Sequence, residues 1–196
     1  MFRSTVASRY TFQRLLVAPM HLRDGIIREI DETIAVHEKG KPAKIRMKMN
    51  SLVDEAIMDA LYLASQEGLP VQLVTRAICA LRPGVPGLSE TIEVRSILGR
   101  FLEHSRVFWF DNGGEPEAWI GSADLMHRNL DRRVEVLVRL PETPLVEEVG
   151  EMLDLAFWHD TSAWELHSDG DWVRNDGKVS YQEALIERHR RRRTSG

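Results

Sequence analysis

Two short segments of this sequence carry the side chains best suited to chemistry on an anion: His104-Ser105-Arg106, and further on Gly121-Ser122-Ala123-Asp124. A histidine can attack phosphorus or shuttle a proton, and a guanidinium beside it can hold two phosphate oxygens at once. On a strand, residues two apart point the same way, so His104 and Arg106 can face one site. Small residues at Gly121 and Ser122 would let backbone N–H groups approach an anion. Taken alone, His-x-Arg is weak, because a lone histidine is more often structural or simply exposed. A second constellation is Lys48-x-Asn50, at the end of a strand, where ligands of open α/β sheets bind. Its plainer reading is a solvated strand edge with a helix cap at Asn50. A third is a scatter of arginines in loops and at strand ends: Arg76, Arg82, Arg95, Arg100, Arg106, Arg128, Arg132 and Arg133. Any one of them could be surface charge balanced by nearby acids; together they suggest a local anion pocket.

The elements that must position these groups follow from periodicity. Leu22, Ile26, Ile30 and Ile34 recur every four residues and predict a helix ended near Gly40 and Pro42. Lys44 to Asn50 alternates strictly, with Ile45, Met47 and Met49 on one face and Arg46, Lys48 and Asn50 on the other. Ser51-Leu52-Val53-Asp54 has a capping-box pattern, and Val53, Ile57, Ala60, Leu61 and Ala64 form the stripe of the helix it opens. Leu69 to Val74 is a second strand, which completes a βαβ unit with a parallel pair. Strand and helix are not separable over Ile92 to Leu102. Val107 to Phe110 and Ala118 to Ile120 flank the turn Asp111-Asn112-Gly113-Gly114 as a hairpin. A strand from Val134 to Leu140, a helix from Pro144 to about His159, a short hairpin around Asp169-Gly170 and a last helix from near Ser180 complete an α/β sandwich with a mixed sheet.

The whole chain of 196 residues is 43% hydrophobic and 29% charged, with a net charge of −4. It can bury a sizeable core, and its charge gives no sign of nucleic-acid binding. One cysteine, Cys79, excludes an internal disulfide. A cytoplasmic setting is expected, with no membrane span. The histidines His21, His37, His127, His159, His167 and His189 have no metal-ligand spacing. No Walker loop or dinucleotide fingerprint occurs. The basic cluster His189 to Arg193 reads as a solvated helix end or as a contact for a polyanion.

Several ordered motifs resemble polyphosphate kinase of the phospholipase-D-like type. They are Leu15-Leu16-Val17-Ala18-Pro19, Lys48 to Asp54, Ile78 to Glu90, Gly99 to Arg106, Ser122-Ala123-Asp124, Arg128-Asn129-Leu130 and Arg132 to Val136. The resemblance runs from about Leu15 to at least Asp171. It implies a phospholipase-D-like sandwich, a mixed sheet flanked by helices, that forms the C-terminal half of an ATP:polyphosphate phosphotransferase. It divides the chain into a linker-like segment at 1–20 that packs on the domain, the domain at 21–175, and a C-terminal helix with a basic tail at 176–196.

By the same resemblance His104 matches the family's second active-site histidine and Arg76 an arginine that contacts ATP. Lys48, Asn50, Arg82, Arg100, Arg106, Ser122, Asp124, Arg128 and Asn129 match motifs expected to line the phosphates. By the resemblance, the family's phosphohistidine lies in a His-x-Lys motif in the preceding half, which the matching motifs of this sequence do not include. Magnesium is expected in the complete enzyme, with ligands mostly outside this chain. The implied partners are ATP or ADP, inorganic polyphosphate, and either the N-terminal half or a second copy in a homo-oligomer. Departures are Ala77 in place of a usual glycine, Leu125 in place of a tryptophan and His127 in place of a proline. Readings of a different class are a non-catalytic polyphosphate- or nucleotide-binding module and a self-pairing phospholipase-D-like phosphodiesterase homodimer.

Overall fold

The structure is a computed structural model that describes residues 12–194. Residues 1–11 of the expected linker-like segment lie outside the described residues. Nine strands form one mixed sheet: β1 (Leu15–Ala18), β2 (Ala43–Met49), β3 (Val71–Thr75), β4 (Ile92–Ser96), β5 (Arg106–Asn112), β6 (Glu117–Gly121), β7 (Glu135–Arg139), β8 (Ala163–Leu166) and β9 (Trp172–Asn175). Their spatial order is β1-β7-β6-β5-β2-β3-β4-β8-β9. The helices are α1 (Leu22–His37), α2 (Glu55–Gln66), α3 (Thr143–Phe157) and α4 (Tyr181–Thr194). No helix among the described residues is long and apolar enough to cross a membrane.

Strand β2 is parallel to β3 and antiparallel to β5, so the expected βαβ unit forms at the centre of the sheet. The ambiguous stretch after Ile92 resolves as β4, parallel to β3. The predicted hairpin is β5–β6. Leu15–Ala18, assigned from sequence to the linker-like segment, is an edge strand antiparallel to β7. Ser51 does not cap α2. The cap is Asp54, whose carboxylate accepts the Ile57 N–H at 3.3 Å. Beyond β2, Leu52 instead forms isolated bridges to Cys79 and Leu125: its N–H donates to Ile78 O, and the Ser51 carbonyl accepts the Leu125 N–H.

The period-two pattern divides the core. Ile45, Met47, Met49, Phe108 and Phe110 meet the Leu22, Ile26, Ile30 and Ile57 stripes of α1 and α2. Val107, Trp109 and Ala118 point the other way, to Val146 and Leu153 of α3. The basic cluster His189 to Arg193 is exposed, a solvated helix end on α4, where Arg192 also pairs with Glu148 of α3; Arg188, just before it, pairs with Glu151 of α3.

Glu29, on the core side of α1, is buried. Burial first, then the charges of Glu117 and Glu32, push its pKa up to about 7. A raised pKa means that its favourable contribution is complete below the unfolded value, about 4.3, and lost as pH rises through 7. Glu29→Gln escapes this loss. Between pH 4 and pH 8 the stability of the variant relative to wild type is therefore expected to improve by on the order of 2–3 kcal/mol, read from urea midpoints. A gap that stays constant across that range would show that Glu29 does not titrate in the fold.

Candidate functional site

Parallel strands β2, β3 and β4 end at Met49, Thr75 and Ser96, and antiparallel β5 begins beside them at Arg106, which pairs with Gly121 at the end of β6. One end of the sheet therefore collects Asn50, Arg76, the His104-Ser105-Arg106 segment and Ser122 to Asp124. This is the end at which open α/β sheets bind ligands.

Asp124 organises it. The carboxylate is buried and accepts four hydrogen bonds: the Asn50 backbone N–H at 2.7 Å, Asn50 Nδ2 at 3.0 Å, Arg106 Nε at 3.3 Å and Arg106 Nη2 at 2.9 Å. Burial alone would raise its pKa. The bonds from Arg106 and Asn50 and the Arg106 charge outweigh that, so the group is held below the usual aspartate range. Asn50 passes the anchoring on, since its Oδ1 accepts Arg76 Nε at 2.9 Å. Arg106 then turns its free end to His104. Nη1 lies 2.8 Å from Nδ1 and 3.1 Å from Nε2, and also donates to the His104 carbonyl at 2.8 Å. His104 itself is exposed, in the loop just before β5 rather than on the strand. The two residues thus meet through the guanidinium, not through a shared strand face.

Lys48 is not at a solvated edge. It is 2% exposed, with Nζ 2.8 Å from Glu103 Oε2 and 2.7 Å from Ser105 Oγ. It grips the residues on either side of His104 from beneath. Glu103 is also held by Gln182 of α4, whose Nε2 donates to it at 2.6 Å and whose side chain exchanges hydrogen bonds with the Phe101 backbone. Glu103 and Gln182 are not among the sequence candidates, and Ser105 enters there only as the middle of the His104–Arg106 segment. Glu103 and Ser105 are next to one, whereas nothing near Gln182 in sequence signals a role about eighty residues upstream.

Ser122 and Asn129 form a separate group. Both bond the buried Glu135: Ser122 through Oγ, Asn129 through Nδ2 at 2.6 Å. The Ser122 N–H is also committed, donating to Val136 O at 3.1 Å. Gly121 is small for a different reason than an anion nest: a Cβ there would lie 2.0 Å from the Val136 carbonyl on β7.

Three candidates show no contact with the His104 group. Arg82 lies over Gly170 and donates to Ser168 O at 3.1 Å, at the β8–β9 turn. Arg100 is exposed, its guanidinium 5.7 Å from the Phe101 ring. Arg128 is exposed on the π-helical turn Arg128–Arg132. Arg95, from the wider scatter, caps α3 through the carbonyls of Ala156 and Trp158 and pairs with Glu165. His127, set aside in sequence, cross-links that π-helical turn to α2 through Asp131 at 3.1 Å and Glu55 at 2.7 Å; these bonds raise its pKa.

The polyphosphate kinase C-terminal domain 2 family matches residues 15–184. The chain belongs to this family. It is 55% identical over 196 residues to polyphosphate kinase of Streptomyces coelicolor, covering 97% of this chain and 26% of the relative. It is 50% identical over 186 residues to that of Mycobacterium avium, covering 93% and 25%. The chain thus spans about a quarter of the length of the curated relatives it matches. The crystal structure of polyphosphate kinase from Porphyromonas gingivalis superposes with a TM-score of 0.90 at 31% identity, over 95% of this chain and 29% of that one. Nuc from Salmonella typhimurium, a phospholipase D family member, superposes at 0.52 with 20% identity over 82% and 97%. This polyphosphate kinase domain therefore has the phospholipase-D-like fold.

Proposed function

We propose that this domain forms one wall of an ATP:polyphosphate phosphotransferase site, with His104 and Arg76 facing the triphosphate and Arg106 between them. The observation that carries the reading is the buried Asp124, which fixes Arg106 directly and Arg76 through Asn50. Phosphoryl transfer leaves little covalent work to a protein; charge on the phosphate oxygens has to be met by cations already in place. Here the ordering is done before the substrate arrives. His104 either stabilises the transferring group or serves as its proton partner, opposite a phosphohistidine contributed by the remainder of the enzyme. ADP and polyphosphate would use the same contacts in reverse. The reading carries a cytoplasmic enzyme with it.

Magnesium, implied for the complete enzyme, finds no carboxylate cluster here. No group of three His, Cys, Asp or Glu able to hold a metal occurs among the described residues, and both Asp124 oxygens accept hydrogen bonds from Arg106 and Asn50. No step is assigned to it.

Titration calorimetry with inorganic tripolyphosphate tests the reading on this chain. Arg76→Ala removes one guanidinium that is anchored by a single side-chain bond, so the fold should persist while affinity falls about ten-fold. His104→Ala should also weaken binding, and added salt should weaken it in every variant. Affinity unchanged in both variants, or indifferent to salt, would overturn the proposal.

A further inference from the structure

His104 stands in the loop that joins β4 to β5, and that loop does little to hold itself. From Leu98 to Ser105 every residue except Glu103 is exposed. Leu98, Phe101 and Leu102 are 65%, 55% and 67% exposed, so burial of apolar surface does not fix their backbone. Among the described residues, none of 98–104 makes a backbone–backbone hydrogen bond. Side chains do the holding instead. Arg106 takes the His104 carbonyl, and Gln182, in the first turn of α4, takes both polar backbone groups of Phe101. The Phe101 N–H donates to Gln182 Oε1 at 2.8 Å, and Gln182 Nε2 donates to Phe101 O at 2.7 Å. The second Nε2 proton goes to Glu103 Oε1 at 2.6 Å. The amide thus serves the loop as a neighbouring strand would.

The surroundings are shaped for this contact. Gln182 is 7% exposed, and its buried amide is satisfied almost entirely by the loop. Gly99 does not occupy the left-handed region, so its size rather than its backbone freedom is what the fold uses: a Cβ there would lie 2.5 Å from Gln182 Oε1 and 2.6 Å from Cδ. The helix that carries the amide is pinned on both sides of it. Tyr181 is buried in a cluster with Val74 of β3 and Ile97, where the loop begins, and Arg188 pairs with Glu151 of α3 further along. We infer that Gln182 is a positioning residue for His104, which makes the C-terminal helix a strut of the phosphate site; the role rests on the reading of His104 given above. Gln182 sets the loop at Phe101 and Glu103, Lys48 sets Glu103 and Ser105 from beneath, and the exposed imidazole is aimed by its fixed neighbours rather than by burial. Small errors in such aim are costly to a site that works by charge already in place.

The test is a double-mutant cycle on the full chain, with inorganic tripolyphosphate as the probe. Gln182→Leu roughly keeps the side-chain volume and the helix propensity while deleting all three bonds. It should weaken tripolyphosphate about five-fold when His104 is present and change nothing in the H104A background, because the loss runs through the imidazole. In NMR of the chain with 13C-labelled histidine, the His104 signal, assigned by its absence in H104A, should move in Q182L. Gly99→Ala puts a methyl group where the Gln182 amide lies and leaves α4 untouched; it should reproduce both changes, and it carries the same comparison should Q182L not fold. Equal weakening with and without His104 would show that α4 supports the site as a whole and overturn the positioning role. Full affinity with an unmoved His104 signal would reduce the contact to packing and leave the phosphate reading standing. A wild-type chain that does not bind tripolyphosphate would sink the phosphate reading and this role together.

Discussion

Asp124→Ala is expected to destabilise the chain by about 3–5 kcal/mol and to abolish tripolyphosphate binding. Four donors lose their acceptor at once: two on Arg106 and two on Asn50. The Arg106 guanidinium, 10% exposed beside Asp124, would be left as an unpaired buried charge. Asn50 would lose the bond that aims its Oδ1 at Arg76. Urea unfolding at pH 7 gives the first number. The acid limb gives an independent one. Because the Asp124 pKa is depressed, its contribution is complete above the unfolded value near 3.9 and drains away as pH falls through the lower folded value. Asp124→Ala should therefore lose less stability than wild type over that acid range. An unchanged urea midpoint together with parallel acid limbs would mean that Asp124 does not hold the site.

The sequence was most legible where structure is local. Period-four and period-two patterns located α1, the β2–α2–β3 unit and the β5–β6 hairpin, because each follows from which residues share a face. They said less about what the polar face meets. Arg46, Lys48 and Asn50 alternate with apolar residues, as on a half-solvated strand, yet all three are buried. The reason is long-range: β2 is the fifth of nine strands, and Arg46 is covered by Gly150 and Asp154 of α3, Lys48 by the His104 loop, and Asn50 by Asp124. Edge strand β1 has four residues and owes its place to β7, over a hundred residues away. A pattern read in a short window cannot contain such partners. Arg82 and Arg76 look equivalent as loop arginines, and only the closure of the β8–β9 turn over Arg82 separates them. For the His104 group the family resemblance supplied what periodicity could not, and Asp124, carried over as one phosphate-lining residue among several, is the anchor of Asn50 and Arg106 and, through Asn50, of Arg76.

Lys48→Met is the second large effect. The ammonium is almost fully buried, and its loss leaves Glu103, 14% exposed, without its cation. Gln182 still donates to Glu103, but a neutral amide does not replace a charge. A loss of about 3–5 kcal/mol is expected from removing one member of such a pair. Removing both should cost far less, so Lys48→Met/Glu103→Gln is expected to regain at least roughly half of that, with a coupling of about 1–3 kcal/mol in the double-mutant cycle. Anion affinity should behave differently. Lys48 also holds Ser105 at 2.7 Å, so with Glu103 it clamps both neighbours of an exposed His104. The double variant recovers a folded core without recovering that clamp. Its tripolyphosphate affinity should stay near that of Lys48→Met while its urea midpoint approaches wild type, which separates holding the histidine in place from holding the protein together. A double variant as unstable as Lys48→Met would show that the two charges do not depend on each other; one that regains affinity with stability would show that the clamp does not position His104.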